Sequence, residues 1–106
     1  MIKIDIFRNS IGAIIGFNIN GHAGTAPHGQ DIVCAAVAAL TQTAVMGLEQ
    51  YLRREISLDI SSGMLHLELA AAPDDMTSAV LETMMLGLNE IARQNSRSVR
   101  IREHRR

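Results

Sequence analysis

Residues 56–69 read ISLDISSGMLHLEL: Ile56, Leu58 and Ile60, then Leu65, Leu67 and Leu69, alternate with polar or small residues about a Ser61-Ser62-Gly63 turn. A period of two puts every second side chain on one face of a pleated strand, so the stretch reads as a hairpin with one buried face. It decides the fold because of what flanks it. From Ile32 to Leu52 the spacing changes to three and four, and Val33, Val37, Leu40, Ala44 and Leu48 form one stripe of a helix about 30 Å long. After the hairpin, Pro73-Asp74-Asp75 opens a second helix with acidic residues at its positive end, continuing through Met76, Val80, Met84, Leu88 and Ile91 to near Asn95.

The period of two also governs the start of the chain. Ile2, Ile4 and Ile6 alternate with Lys3 and Asp5; Arg8, Asn9, Ser10 and Gly12 supply turn chemistry; Ile15, Phe17 and Ile19 then alternate within residues 13–20. Val99 and Ile101 flank Arg100 and make a short final strand. The order β-β-α-β-β-α-β predicts an α+β fold, a mostly antiparallel sheet with two helices packed on one face. A chain of 106 residues has material for one domain, residues 1–106, and little for a separate substrate domain.

Composition narrows the function. A formal net charge of −1 argues against a nucleic-acid field over the whole molecule. The local exception is Arg93, Arg97, Arg100, Arg102, Arg105 and Arg106; they suit contact with RNA or an acidic partner, but Arg100 and Arg102 also read as the solvent face of a strand. One cysteine makes no internal disulfide, and the chain opens directly into a strand pattern, which points to the cytoplasm. No uninterrupted apolar run reaches the roughly 18–20 residues of a membrane span, so no membrane partner is expected. Met76, Met84 and Met85 recur at helical spacing and read as core, His66 points outward from its strand, and His104 has no evident role.

The chemistry concentrates in residues 21–36. Three glycines (Gly21, Gly24, Gly29) and Pro27 within ten residues make Gly21 to Gln30 a loop. Asp31 follows as the helix N-cap, which puts Cys34 at the third helical position, where unpaired N–H groups and the helix dipole favour a thiolate. His22, at the end of a strand, can fold back over that helix start as a base for the thiol and later as an acid for the leaving amine. Asp31 either caps the helix or orients the imidazole; backbone N–H groups there can hold an oxyanion, and Gly24 and Gly29 let the loop open and close. Spacing alone leaves the bland reading open: a lone helical cysteine is more often a small buried hydrophobe and a lone histidine a turn residue. Cys34, His22 and His28 lack a fourth ligand and zinc spacing, so neither a metal nor a cofactor is expected.

The block from residue 21 to 40, GHAGTAPHGQDIVCAAVAAL, closely resembles the signature of the bacterial ribosomal-processing cysteine protease family, Prp. More loosely, the resemblance covers nearly the whole chain, including the opening strand, Leu40-Thr41-Gln42-Thr43 and Asp74-Asp75. It implies a cysteine endopeptidase that removes a short N-terminal extension from a large-subunit ribosomal protein through a Cys/His dyad and a thioester acyl-enzyme. Those roles fall on Cys34 and His22, with Gly21, Gly29 and Asp31 in support. It also implies a homodimer, with the ribosomal-protein extension as peptide partner. Thr25, Pro27 and His28 depart from the aromatic and acidic loop residues of many relatives, and Ala38 stands in place of a serine; these differences bear on substrate preference and on a hydrogen bond near the nucleophile. The competing readings are a non-catalytic ribosome-assembly or interaction module with the same fold, and a thiol-dependent acyl transferase.

Overall fold

The alternation of the first strand is realised as burial: Ile2, Ile4 and Ile6 are closed off from solvent while Lys3 between them is exposed. A computed structural model describes residues 1–21 and 28–106, with the backbone course alone for residues 28–31. Its elements are β1 (Ile2–Arg8), β2 (Ile14–Asn20), α1 (His28–Met46), β3 (Ile56–Ser61), β4 (Met64–Leu69), α2 (Asp75–Gln94) and β5 (Val99–Arg105), in the order expected.

The strands form one sheet in the order β3-β4-β2-β1-β5, antiparallel throughout except where β5 lies parallel to β1. Cross-strand partners share a face. One row therefore runs Ile101, Ile4, Ile19, Leu65, Ile60 and the next runs Ile6, Phe17, Leu67, Leu58. Val33, Val37 and Leu48 from the first helical segment and Leu81, Met84 and Leu88 from α2 join these rows in a single buried cluster, so both helices pack on the same side of the sheet. Their cover stops short of β3. Leu58 and Ile60 occupy the apolar rows yet are 37% and 59% exposed.

Both ends of the first helix differ from the sequence reading. The first helix begins at His28, so Asp31 is its fourth residue rather than its cap. Gly29 looks like loop chemistry, but a glycine near a helix end costs only about 1 kcal/mol of propensity. At the other end α1 runs into a wider turn, Gly47–Tyr51, closed by Leu52 N–H donating to Gly47 O at 2.9 Å, five residues back. Leu40, placed in the sheet-facing stripe by its spacing, instead leans on α2: a Cβ added to Gly87 would meet its Cδ1 at 2.6 Å.

β5 is longer than the Val99–Ile101 pattern implied because its second half is held from the far side of the sheet. His104 Nε2 lies 2.7 Å from Asp5 Oδ1, its ring stacks on Phe7 at 5.3 Å, and the Arg106 guanidinium sits 3.9 Å over the Phe7 ring. Arg8 ties the same end together, bonding Glu82 of α2 and Glu103 of β5. Arg100 and Arg102 are exposed, as a strand's solvent face should be, whereas Met76, read as core, is 54% exposed beside fully packed Met84 and Met85.

Residues Ile32–Tyr51, at a mean hydropathy of 1.6, are long and apolar enough to cross a membrane by length and composition, which a search for uninterrupted apolar runs passes over. Here Val33, Val37, Ala44, Val45 and Leu48 of this segment pack into the core cluster, while about two thirds of the segment is not buried.

The start of α2 makes a pH-dependent contribution. The Asp74 carboxylate accepts from the N–H groups of Met76 and Thr77, both at 3.0 Å, and Thr77 Oγ1 accepts from Asp74 N–H. The Thr77 amide first, then the Arg54 guanidinium, holds this carboxyl below its ordinary value of 3.8. A lowered folded-state pKa means that the stabilisation is complete above the ordinary value and disappears as pH falls through the lowered one. The melting temperature should therefore decline below about pH 4, and Asp74→Asn, which keeps a capping side chain but cannot titrate, should show a shallower decline. Thermal melts from pH 6 to pH 2 check this; parallel curves for the two proteins contradict it.

Candidate active site

Helical spacing brings Cys34, Val37, Ala38, Thr41 and Gln42 onto one face of α1. That face borders a groove of about 220 Å³ between the helix and the β3–β4 hairpin. Ile2, Ile19, Val37 and Leu65 form its apolar floor, and Ile60, Ser61, Gly63 and Met64 stand on the hairpin side. The groove exists because the helices leave β3 uncovered. Cys34 is half-buried, touching the core on one side and the groove on the other.

Gly21 closes the groove at the end of β2. Its φ is +98°, its N–H donates to Gly63 O at 2.9 Å, and a Cβ there would fall 2.2 Å from Met1 O. Only glycine fits this backbone without strain. The next residue in the chain is His22.

Of the six site residues read from the sequence, Gly21 and Cys34 border the same groove. Gly29 and Asp31 lie in the first turn of α1. His22 and Gly24 lie outside the described residues, and so does the loop to which the opening and closing were assigned. One part of the argument for the nucleophile must be corrected. With α1 starting at His28, Cys34 is its seventh residue, beyond the first four N–H groups and beyond the turn where the dipole acts. The helix-end effect therefore does not apply to Cys34.

Sequence reasoning missed the hairpin wall, Ile60 to Met64, which reaches the groove from residues distant in sequence; its only local signal is an apolar strand, Ile56–Ser61, at a sheet edge. Thr41 is 1% exposed, with Oγ1 donating to Val37 O at 2.9 Å, so it is satisfied within the helix. Among the described residues no cluster of three His, Cys, Asp or Glu side chains is arranged to hold a metal ion. What the groove offers chemically is one thiol at the edge of a largely apolar trough.

A family model for cysteine protease Prp matches residues 1–100. The chain is 32% identical over 107 residues to the ribosomal processing cysteine protease Prp of Bacillus subtilis strain 168, covering 95% of this chain and 96% of that protein. It is 30% identical over 104 residues to the protein of the same name from Staphylococcus aureus strain Mu50, covering 95% and 97%. Its fold matches the crystal structure of an essential ribosomal processing protease Prp from S. aureus in complex with a substrate peptide, with a TM-score of 0.90 at 24% identity, covering 98% of this chain and 100% of that one.

Proposed function

Because the chain belongs to the Prp family of cysteine proteases, we propose that it removes a short N-terminal extension from a large-subunit ribosomal protein, with Cys34 as nucleophile and His22 as base. The observation that carries the reading is the position of Cys34: half-buried and bordering a groove, not sealed inside the core. His22 takes the thiol proton as the sulfur attacks the scissile carbonyl, then returns it to the departing amine, leaving a thioester on Cys34. Water, deprotonated by the same imidazole, cleaves the thioester and restores the thiol. Gly21 fixes the backbone at the end of β2, immediately before His22; Gly24 supports the approach of the peptide, and Gly29 and Asp31 support the first turn of α1. Residues 1–106 act as one protease domain.

The test is incubation with the large-subunit ribosomal protein of the same genome, followed by mass spectrometry of its N-terminus. A truncated product is expected; an intact N-terminus after incubation with equimolar enzyme under reducing conditions contradicts the reading. A companion measurement separates a protease from a non-catalytic module of the same fold. Since the helix end does not reach Cys34, its reactivity depends on His22, and His22→Ala should slow iodoacetamide alkylation at pH 7 by about tenfold or more. Equal rates in the two proteins would leave Cys34 without an activating base.

The partners follow from the same reading. The protein works in the cytoplasm as a homodimer, which light scattering would register as twice the 11.6 kDa chain. Lys3 and Arg100, neighbours across β1 and β5 and without an ion pair among the described residues, support a weak contact with ribosomal RNA that fades as salt rises.

A further inference from the structure

We infer that Gln42 holds the main chain of the bound peptide about 12 Å from Cys34, and so sets how many residues beside the cleaved bond the enzyme must grip; this rests on the proteolytic reading above. Cys34, Ala38 and Gln42 stand four residues apart on one face of α1, and all three line the groove. Ala38, between them, has only a methyl group, so a chain can lie flat along the helix from one to the other. Gln42 is exposed, and its side-chain amide makes no hydrogen bond among the described residues.

A primary amide is both donor and acceptor, which matches the C=O and N–H of one residue of an extended peptide whatever its side chain. Thr41, beside it, is not available for this, because its hydroxyl is spent within the helix. Eight helical residues span about 12 Å, and an extended peptide advances about 3.3 Å per residue. Gln42 therefore meets the substrate three to four residues from the scissile carbonyl. The side chains of the floor between, Ile2, Ile19, Val37 and Leu65, are all apolar and cannot fix the register of the peptide, which leaves that task to Gln42 and the hairpin wall.

The experiment uses a peptide spanning the cleavage site of the candidate ribosomal protein. Binding is read by fluorescence anisotropy on Cys34→Ala, so that affinity is separated from turnover; cleavage is read on the otherwise unaltered enzyme. Adding Gln42→Ala should weaken binding about 30-fold, the combined worth of two ordinary hydrogen bonds, and in the active enzyme should raise KM by a similar factor with kcat within about twofold. A scan of singly N-methylated peptides should find one position, three to four residues from the scissile carbonyl, where methylation, which removes one of the two bonds, costs part of what Gln42→Ala costs and adds nothing further once Gln42 is replaced.

Unchanged affinity in Gln42→Ala overturns the inference, as does additivity at every position of the scan or a peptide that does not bind at all. Gln42-dependent binding of a peptide that is never cleaved refutes the proteolytic reading while upholding the contact. Cleavage with an affinity indifferent to Gln42 does the reverse.

Discussion

Cys34→Ala should yield a folded protein that no longer cleaves. The side chain is half-buried, and its replacement removes one atom beside an open groove, so the melting temperature should stay within about 3 °C of the parent. Turnover should fall by on the order of 10⁴-fold or more, because Cys34 is the chain's one thiol and an alcohol such as Ser61 is a far weaker nucleophile near neutral pH. Cys34→Ser should fail as well: it keeps the shape of the site, but its alcohol is a far weaker nucleophile near neutral pH. A peptide-cleavage assay beside a thermal melt reads both quantities. Undiminished turnover by purified Cys34→Ala removes the mechanism, and a large loss of melting temperature would mean that the sulfur is mainly a core atom.

The second large effect is expected at Gly21. Gly21→Ala forces a side chain onto a backbone at φ +98°, worth about 1–3 kcal/mol, and places its Cβ 2.2 Å from Met1 O. The obstacle is backbone, not the end of a flexible side chain, so either β1 or the end of β2 must move. A fall in melting temperature of roughly 5–15 °C follows. Cleavage should suffer more than stability, because Gly21 immediately precedes His22, the proposed base. Gly12→Ala supplies the comparison: its φ is +91°, but no atom lies within 4 Å of the added Cβ, so it bears the strain without the collision. If both variants melt and cleave alike, the close approach at Gly21 is not what positions the loop.

The sequence was most readable where structure is decided locally. Ile2, Ile4 and Ile6, or Leu65 and Leu67, need only the period of two to declare a buried face, and Asp74 announces α2 through its own hydrogen bonds to Met76 and Thr77. Distant residues decided the rest. The length of β5 depends on His104 meeting Asp5 and Phe7 from the other end of the chain, so a histidine that looked idle is a clasp. Leu40 turns to α2 because Gly87 leaves space there, which no property of its own helix reveals. The groove is a consequence of coverage: its hairpin wall is apolar sequence that reads as core until the helices are seen to stop before β3. For the site itself, spacing could not separate a nucleophile from a buried cysteine. The signature from residue 21 to 40 singled out Cys34 and His22; Cys34 borders the groove, and the start of α1 at His28 removes the helix-end explanation for its reactivity.

The central claim is that the Cys34 sulfur, activated by His22, takes the acyl group of the cleaved peptide. Its most direct measurement is the intact mass of the protein after brief incubation with an activated ester of the substrate's N-terminal half and quenching in acid, conditions under which an acyl-enzyme builds up. The predicted result is a single adduct of the acyl mass, mapped to Cys34, absent from Cys34→Ala and slower to appear in His22→Ala. A protein that processes its substrate while Cys34 never becomes acylated contradicts the account.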